Sequence, residues 1–339
     1  MKQTILGRTT ITVSRTGFGC IPIQRISFDE STALLQHAYE HGITLFDTAN
    51  IYGTSEERIG IALHHVRDKI TLCTKSFPLP PEKVMANIEN SLRMLRTDYI
   101  DVFQIHNPSF VPLPGGEDGL YDCMVKAKEQ GKIRYIGITE HSRDFAREAV
   151  LSGLYDTLQY PLSYLSATEE LALIDLCREH NVGLIAMKGL CGGLLTNTRA
   201  AFAFLRQYDN VIPIWGMQKM SELKEFLSYE HEPPILNSTL QNAIAADRAE
   251  LSGSFCRSCG YCLPCPANIP IPNAARITFL LGRTVREAYL TPEWRNNMKL
   301  IDNCTNCGHC KDNCPYKLDT PALLKRQKAE YFEIAHENQ

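Results

Sequence analysis

Short apolar segments and longer helical patterns alternate eight times between residues 17 and 230. The intervening segments, such as Pro81–Leu95 and Thr168–Glu179, carry apolar residues at spacings of three and four. Strands that are hydrophobic along their whole length are typical of parallel sheets covered by helices. Eight such repeats predict a (β/α)8 barrel. The predicted strands are Gly17–Cys20, Thr44–Asp47, Ile70–Thr74, Tyr99–His106, Tyr135–Thr139, Thr157–Tyr160, Val182–Met187 and Val211–Trp215.

A doubly wound open sheet is the alternative architecture. That fold carries a GxGxxG turn after its first strand, where it binds a dinucleotide. This chain has Gly17-Phe18-Gly19 at that place and no third glycine to complete the pattern. The barrel is therefore the favoured prediction.

The alternation stops at His231-Glu232-Pro233-Pro234. Two consecutive prolines cannot continue a helix and they stiffen the connection. We therefore predict a barrel domain over residues 1–232 and a smaller domain over residues 233–339. In the second domain the sequence predicts helices over Leu236–Leu251 and Ile271–Leu300, with apolar positions that include Val285. After Pro321 it predicts a polar helix or a frayed tail.

Eight cysteines in the last quarter of the chain form two runs. The first run is Cys256, Cys259, Cys262 and Cys265, followed by Pro266, and the second is Cys304, Cys307, Cys310 and Cys314, followed by Pro315. The second run has the spacing of bacterial ferredoxins, in which the fourth cysteine ligates the other cluster. The runs predict a small ferredoxin-like helical domain with two 4Fe-4S clusters. A zinc site, which would need two separated CxxC pairs, and a disulfide framework are the alternatives.

The composition narrows the class of protein. A net charge of −3 and a pI near 6.4 give no general basic field, so we expect no nucleic-acid partner. No apolar stretch is long enough to span a bilayer, the first residues do not resemble a signal peptide, and clusters require a reducing compartment. We therefore expect a cytoplasmic protein.

The five cysteines outside the two runs are predicted to be buried and inert. They are Cys20, Cys73, Cys123, Cys177 and Cys191.

Four polar side chains stand at or just beyond the ends of three successive predicted strands. They are Asp47, Tyr52, Lys75 and His106. Each type alone is more often a packing or solvated residue, but active sites of barrels of this kind lie at the carboxyl ends of the strands. A tyrosine normally ionises near pH ~10, and Lys75, held by Asp47, can lower that value. Because His106 can donate a hydrogen bond to a carbonyl oxygen, the four residues predict a hydride-transfer site.

Phe46-Asp47-Thr48-Ala49-Asn50-Ile51-Tyr52-Gly53, followed by Glu56-Glu57-Arg58-Ile59-Gly60, resembles the signature of the aldo-keto reductases. Leu72–Lys75 and Asp101–His106 match the lysine and histidine segments, and Leu6–Ser14 resembles the hairpin that caps the barrel bottom. The similarity covers about residues 1–230, and the cysteine tail resembles the branch with a C-terminal ferredoxin-like domain. The resemblance implies NAD(P)H-dependent reduction of an aldehyde or ketone, or the reverse oxidation, with Tyr52 as the acid/base.

The resemblance also implies positions for the nicotinamide ring. Thr139 and Glu140 stand where the family usually has Ser-Asn for the carboxamide, and Gln159 matches the glutamine that helps to hold it. Met187 stands where many members have an aromatic residue that stacks on the ring. It can pack against the ring or simply fill the core.

The rest of the dinucleotide is expected along two further segments. Lys188 and Gly189 open a glycine-rich segment whose N–H groups can approach a pyrophosphate. Gly216, Lys219 and Glu225 lie in the segment that corresponds to the adenosine-phosphate region. Glu222 stands where NADP-specific members usually carry a basic residue. This favours NAD(H), or relaxed specificity for NAD(H) and NADP(H), because Lys219 can compensate for a 2′-phosphate.

Iron–sulfur clusters pass one electron at a time, whereas nicotinamide delivers a hydride that carries two. The favoured hypothesis is a carbonyl reductase or alcohol dehydrogenase with structural clusters. The alternatives are an electron relay between a ferredoxin-type carrier and the barrel, and a noncatalytic redox or nucleotide sensor. The sequence does not identify the small-molecule substrate, although His141 or Arg143 would suit a charged or sugar-like one.

Overall fold

A computed structural model describes residues 1–251, 255–257, 260, 262–283, 286–314 and 318–336. Three positions used above, Cys259, Val285 and Pro315, lie outside the described residues. The chain divides into two compact units. The barrel unit comprises residues 1–189 and 197–240, and the cluster unit comprises residues 190–196 and 241–339.

An antiparallel hairpin of β1 (Gln3–Ile5) and β2 (Thr12–Ser14) comes first. Eight parallel strands then form a closed barrel in which each strand pairs with its neighbours in sequence and the last pairs with the first. The eight predicted strands are thus confirmed, each to within two residues at either end. They are β3 (Gly17–Gly19), β4 (Leu45–Asp47), β5 (Thr71–Ser76), β6 (Ile100–His106), β7 (Ile133–Thr139), β8 (Thr157–Pro161), β9 (Gly183–Met187) and β10 (Val211–Gly216).

Helices follow the strands and begin at recognisable sequence signals. Ser27 caps the first helix, where its hydroxyl accepts from the backbone N–H of Glu30 and the Glu30 carboxylate accepts from the backbone of Ser27. The helices are α1 (Phe28–Glu40), α2 (Ser55–Leu63), α3 (Pro81–Leu95), α4 (Leu120–Glu129), α5 (Arg143–Ser152), α6 (Thr168–Glu179), α7 (Thr198–Arg206), α8 (Met220–His231) and α9 (Ser238–Leu251). Short 3₁₀ helices cover Pro22–Arg25 and His64–Lys69.

The hairpin closes the amino end of the barrel. Leu6 and Val13 are fully buried in a cluster with Leu45 and other residues of the barrel interior. Gly7 has φ +55°, and a Cβ there would lie 2.1 Å from the backbone nitrogen of Gly183, so the close approach requires glycine. The polar site described below therefore lies at the opposite, carboxyl end of the strands.

The cluster unit is built from short helices. Thr291 caps one of them by accepting from the N–H of Trp294, with Pro292 in its first turn. The predicted continuous helix over 271–300 is therefore interrupted. The helices are α10 (Ile271–Ala274), α11 (Ile277–Arg283), α12 (Pro292–Lys299), α13 (His309–Asp312) and α14 (Thr320–His336), with 3₁₀ helices at Arg286–Tyr289 and Leu300–Asn303.

The tail after residue 320 forms helix α14, and this helix is part of the hydrophobic core of the cluster unit. Leu324, Tyr331 and Ala335 are buried among Ile271, Met298 and neighbouring apolar residues. Burial of this face explains why the tail is ordered and not frayed, since tertiary packing supplies most of the stability of a helix. Throughout the described part of the chain, no helix combines the length and the apolar character needed to cross a membrane.

Candidate functional site

A buried ion pair lies at the carboxyl end of the barrel. The Nζ atom of Lys75, on β5, lies 2.7 Å from both carboxylate oxygens of Asp47, on β4, and donates to the carbonyl oxygen of Thr48 at 2.7 Å. Lys75 is 1% exposed and Asp47 is 3% exposed. Burial lowers the pKa of Lys75, but Asp47 and Tyr52 outweigh it and the pKa is raised overall. Lys75 is therefore a fixed cation in the barrel interior.

Two glutamines complete the surroundings of Asp47. Gln104 Nε2 lies 3.2 Å from one carboxylate oxygen, and Gln159 Nε2 lies 3.3 Å from the other. Gln104 also donates to Gln159 Oε1 at 2.9 Å. From the sequence, Gln159 is predicted to bind the nicotinamide carboxamide, and Gln104 is not predicted to belong to the site. Strand alternation places Gln104 on the same face as His106, and this was the signal available for finding it.

Tyr52 follows β4 and lies above the lysine. Lys75 Nζ is 5.4 Å from the centre of the Tyr52 ring. Burial raises the pKa of Tyr52 above its ordinary value, Lys75 opposes this rise, and Asp47 adds to it. From the sequence, Lys75 is expected to lower the pKa of Tyr52, whereas in the folded barrel the loss of solvent is the larger effect and raises it. Tyr52 is therefore a protonated hydroxyl at neutral pH.

His106 ends β6 beside the tyrosine. Its ring centre lies 6.1 Å from that of Tyr52 at an interplanar angle of 85°, and it stacks on Phe77 at 4.9 Å. Burial, followed by the charges of Lys75 and Lys188, lowers the pKa of His106 to about 3. Within the described residues its Nδ1 atom is buried without a hydrogen-bond partner. A neutral imidazole with an unused polar atom is suited to bind a polar ligand.

The next strand end carries Thr139 and Glu140. The Thr139 hydroxyl accepts from the backbone N–H of Asn107 at 3.0 Å, which leaves its own proton available. Glu140 is 0% exposed, and neither carboxyl oxygen has a hydrogen-bond partner of normal geometry among the described residues. Burial raises the pKa of Glu140, and the N–H groups of Ser142 and His141 lower it by less, so that the net pKa is about 9. Glu140 is thus a neutral acid at physiological pH.

His141 and Lys188 lie close to His106, whereas Arg143 is engaged elsewhere. Burial, followed by the charge of Lys188, lowers the pKa of His141 well below its ordinary value. Lys188 adopts a left-handed backbone conformation with φ +58° directly after β9. Arg143 pairs with Asp144 on the surface at 2.8 Å. The structure therefore brings His141, and not Arg143, to the end of the barrel that carries the tetrad.

The ends of β9 and β10 pack closely together. Gly189 lies against Trp215, and a Cβ at this position would come within 2.6 Å of the indole ring. Trp215 is buried in a stack with Phe202 and Phe226. Met187 is half-buried and packs against the barrel core. Its role beside a nicotinamide ring stays a prediction.

The amino end of α8 already holds a carboxylate. Glu222 Oε2 accepts from the backbone N–H groups of Gln218 at 2.9 Å and Lys219 at 3.1 Å. N–H groups at a helix amino end are a common binding site for phosphate. Glu225 accepts from the hydroxyl of Tyr229 at 2.7 Å, and Gly216 is exposed at the end of β10. The predicted adenosine-phosphate segment is thus lined by acidic groups as well as by Lys219.

Cysteines from both runs line a first cavity in the cluster unit. Cys265 of the first run meets Cys304, Cys307 and Cys310 of the second run around it, with Cys262 close by. Burial raises the pKa of the Cys310 thiol, and the thiols of Cys304, Cys307 and Cys265 act in the same direction. Four thiols converging on one cavity fit the donor set of a 4Fe-4S cluster.

A second cavity in the same unit is lined by Cys256, Cys262 and Cys310 together with Cys314. Cys259, the remaining cysteine of the first run, lies outside the described residues.

Of the cysteines predicted to be buried and inert, Cys20, Cys73, Cys123 and Cys177 are buried. Cys191 is only half-buried, which differs from that prediction.

The barrel and the cysteine cavities agree with two family models. Residues 15–202, more than half of the chain, match the model of the aldo/keto reductase family. Residues 255–319 match the model of a 4Fe-4S dicluster domain. The chain therefore belongs to the aldo/keto reductase family and carries a C-terminal 4Fe-4S dicluster domain.

Curated relatives resemble the barrel region. The chain is 31% identical to "Probable aldo-keto reductase 1" of Glycine max over 208 residues, which are 56% of this chain and 59% of the relative. It is 30% identical to aldo-keto reductase YhdN of Bacillus subtilis, covering 58% of this chain and 64% of that protein. It is 32% identical to L-galactose dehydrogenase of Arabidopsis thaliana, over 56% of this chain and 66% of that protein. The chain thus spans about three fifths of the length of these relatives.

Solved structures share the fold. An aldo-keto reductase from Klebsiella pneumoniae, described as a complex with NADPH, superposes with a TM-score of 0.64 at 22% identity and covers 74% of this chain and 95% of its own. A Bacillus halodurans aldo-keto reductase in its holo form has a TM-score of 0.63 at 23% identity, covering 73% and 96%. At these identities the similarity establishes the barrel fold.

Proposed function

We propose that the barrel reduces a small aldehyde or ketone with a nicotinamide cofactor, or catalyses the reverse alcohol oxidation. The observation that supports this most strongly is the buried Asp47–Lys75 pair beneath Tyr52, with His106 beside it at the carboxyl end of the barrel. Membership of the aldo/keto reductase family and the NADPH named for the Klebsiella structure support the same reaction class.

Tyr52 is proposed as the general acid in the reducing direction. The cofactor, when bound, supplies the hydride. Because the pKa of Tyr52 is raised, its hydroxyl keeps its proton at neutral pH and can donate it to the carbonyl oxygen. Lys75 then stabilises the tyrosinate, and Asp47 keeps the ammonium group in position. Alcohol oxidation uses the same groups with the proton moving back to Tyr52.

His106 is proposed to bind the substrate oxygen. With its pKa lowered to about 3, the imidazole is neutral and can donate one hydrogen bond without adding a competing acid. A preorganised donor stabilises negative charge on the oxygen as the hydride arrives. Stacking on Phe77 fixes the plane of the ring, so little reorganisation is needed.

Thr139 and Glu140 are proposed to hold the nicotinamide carboxamide. A neutral Glu140 has a hydroxyl donor as well as a carbonyl acceptor, so it can match both halves of an amide, which an ionised carboxylate cannot. Gln159 is proposed to act with them through its position on β8, although its amide is also bonded to Asp47. Lys188 and Gly189 are the proposed contacts to the pyrophosphate.

We propose that NAD(H) is preferred over NADP(H). Glu222 occupies the N–H groups at the amino end of α8 and would repel a 2′-phosphate there. Lys219, Gly216 and Glu225 are proposed to line the adenosine side of the cofactor.

The eight cysteines are proposed to bind two 4Fe-4S clusters with crossed ligands. The first cavity would use Cys304, Cys307 and Cys310 with Cys265, and the second Cys256, Cys259 and Cys262 with Cys314. We propose a structural role, because the ligand bonds would hold together a unit of short helices. The electron relay with a ferredoxin-type carrier and the sensor stay predictions, as do the cytoplasmic location and the absence of nucleic-acid and membrane partners.

The test is oxidation of NADH and of NADPH by anaerobically purified protein with a panel of small aldehydes and ketones. We expect turnover with at least one carbonyl, and a loss of about 10²–10⁴-fold in Tyr52→Phe, as for removal of a general acid. Tyr39→Phe, a change on α1 at the other end of the barrel, serves as the matched control and should retain full activity. Equal rates in wild type and Tyr52→Phe would refute the proposal.

A further inference from the structure

Two histidines and a glutamate share one face at the carboxyl end of α1. His37, Glu40 and His41 each offer one nitrogen or oxygen ligand atom, and these atoms lie within 4.8 Å of one another. The rings of His37 and His41 have their centres 4.0 Å apart. Residues three and four apart on a helix are neighbours on its surface, so the helix itself holds this group together.

The orientation of His41 is fixed by a hydrogen bond. Its Nδ1 atom lies 2.8 Å from the carbonyl oxygen of His37. Because a carbonyl oxygen can only accept, Nδ1 must carry the proton, and the lone pair of Nε2 is left free to bind a ligand. Metal-binding histidines are commonly oriented in this way, with the second ring nitrogen bonded to a backbone carbonyl.

The third ligand and the end of the helix also favour a cation at this place. The carboxylate of Glu40 offsets part of the charge of a divalent cation, and the carboxyl end of a helix is a favourable place for positive charge.

We propose that His37, Glu40 and His41 bind one divalent late-transition-metal ion, with Zn²⁺ as the expected occupant. Two imidazoles and a carboxylate suit Zn²⁺, Ni²⁺, Co²⁺ and Cu²⁺ rather than Mg²⁺ or Ca²⁺. Metal–ligand distances near 2.0–2.2 Å place tetrahedral ligands roughly 3.3 Å apart. Small side-chain rotations would bring the three groups from their present separation to that spacing, and water would complete the coordination.

This site is separate from the tetrad. Helix α1 leads through Ile43 into the amino end of β4, whereas Asp47 lies at the other end of the same strand. The metal would link residues near the end of α1 and would take no part in the reduction of a carbonyl. Binding and catalysis can therefore be measured independently.

The test is titration of anaerobic, cluster-loaded protein with Co²⁺, followed by visible absorption, with competition by Zn²⁺. Wild type should bind one ion with the spectrum of nitrogen and oxygen ligands. His37→Gln and His41→Gln should each weaken binding by more than about tenfold, since even the loss of a supporting group around a metal costs 10–100-fold. Carbonyl reduction and the iron content should be unchanged in both variants.

His64 and His65 provide the matched control, because they are also an exposed histidine pair but are adjacent in sequence. His64→Gln and His65→Gln should bind Co²⁺ as wild type does. Binding that is unchanged in both His37→Gln and His41→Gln would overturn the proposal. A spectrum with intense thiolate charge-transfer bands would do the same, because it would assign the ion to the cysteines.

Discussion

Burial controls the protonation of the individual side chains at the mouth of the barrel. Loss of solvent favours the neutral form of every ionisable group. It keeps Tyr52 protonated, lowers the pKa of His106 to about 3 and raises that of Glu140 to about 9. Lys75 stays charged because Asp47 lies against it. The site thus combines the fixed Asp47–Lys75 ion pair with neutral donors at Tyr52, His106 and Glu140.

Glu140 leads to a prediction about the pH dependence of stability. Its pKa is about 9 in the folded protein and about 4.3 when unfolded, so between these values the folded state holds a proton that the unfolded state has lost. The contribution of Glu140 to stability should therefore fall as pH rises from about 4.5 to about 9. Glu140→Gln removes this dependence, and its advantage over wild type should grow to a few kcal/mol across that range. Denaturant unfolding at several pH values measures it.

Glu179→Gln, an exposed change at the end of α6, is the control and should follow the wild-type pH curve. If the stability of Glu140→Gln depends on pH in the same way as that of wild type, Glu140 is ionised in the folded protein and its proposed carboxamide contact is wrong.

The tetrad residues could be predicted because their types and their places after strands are visible in the sequence. The structure brings them together, whereas their roles in catalysis stay predictions. Strand alternation could have placed Gln104 on the same face as His106, but its hydrogen bond to Asp47 depends on strands distant in the chain. The neutrality of Glu140 could not be predicted, because it depends on how much solvent the surrounding residues exclude.

At the scale of elements, adjacent parallel strands bring together residues distant in sequence. Asp47 of β4 and Lys75 of β5 are 28 positions apart and form the ion pair that the site depends on. Apolar runs predicted the strands well, because a strand buried on both faces must be hydrophobic. The helix predicted over 271–300 was wrong in its continuity, because Thr291 and Pro292 start a new helix.

Breaking the pair between these strands should destabilise the protein. Lys75→Met leaves the Asp47 carboxylate buried without its partner, and we expect a loss of about 3–5 kcal/mol in the free energy of unfolding. The double change Asp47→Asn with Lys75→Met should recover most of this stability and yet remain inactive in carbonyl reduction. Chemical denaturation and steady-state rates provide the two readouts. A double variant no more stable than Lys75→Met would show that loss of the Asp47–Lys75 ion pair is not the cause of the instability of Lys75→Met.

The amino end of α8 should determine the choice of cofactor. Glu222→Arg frees two backbone N–H groups and adds a cation, so it should raise the affinity for NADPH relative to NADH. Glu169→Arg, in the first turn of α6, is a control of equal charge change. Titration with both nucleotides measures the ratio, and an identical ratio in wild type and Glu222→Arg would contradict the proposed role.

At the scale of the whole molecule, each of the two units has its own means of stabilisation. The barrel unit has a large apolar interior, whereas the core of the cluster unit includes the cysteines themselves. The sequence predicted this contrast, because the spacing of the cysteines indicates metal ligands and the periodicity of the apolar residues indicates packed strands and helices. It did not predict that residues 190–196 group with the cluster unit.

Cys307→Ser should therefore lower the iron and sulfide content and destabilise the cluster unit, because metal binding contributes directly to the folding of such domains. Cys123→Ser, a buried cysteine on α4, should retain full iron content. Iron analysis and thermal unfolding under anaerobic conditions provide the comparison. Full iron content in Cys307→Ser would remove this residue from the proposed ligand set.

The most direct test of the proposed reaction follows the hydride itself. Reduced nicotinamide deuterated at the transferable position is supplied with a carbonyl substrate, and the product alcohol is examined by mass spectrometry. We predict that wild type forms alcohol with one deuterium on the former carbonyl carbon and that Tyr52→Phe forms almost no alcohol in the same time. Alcohol without deuterium, or equal amounts of labelled alcohol from both proteins, would contradict hydride transfer at the tetrad.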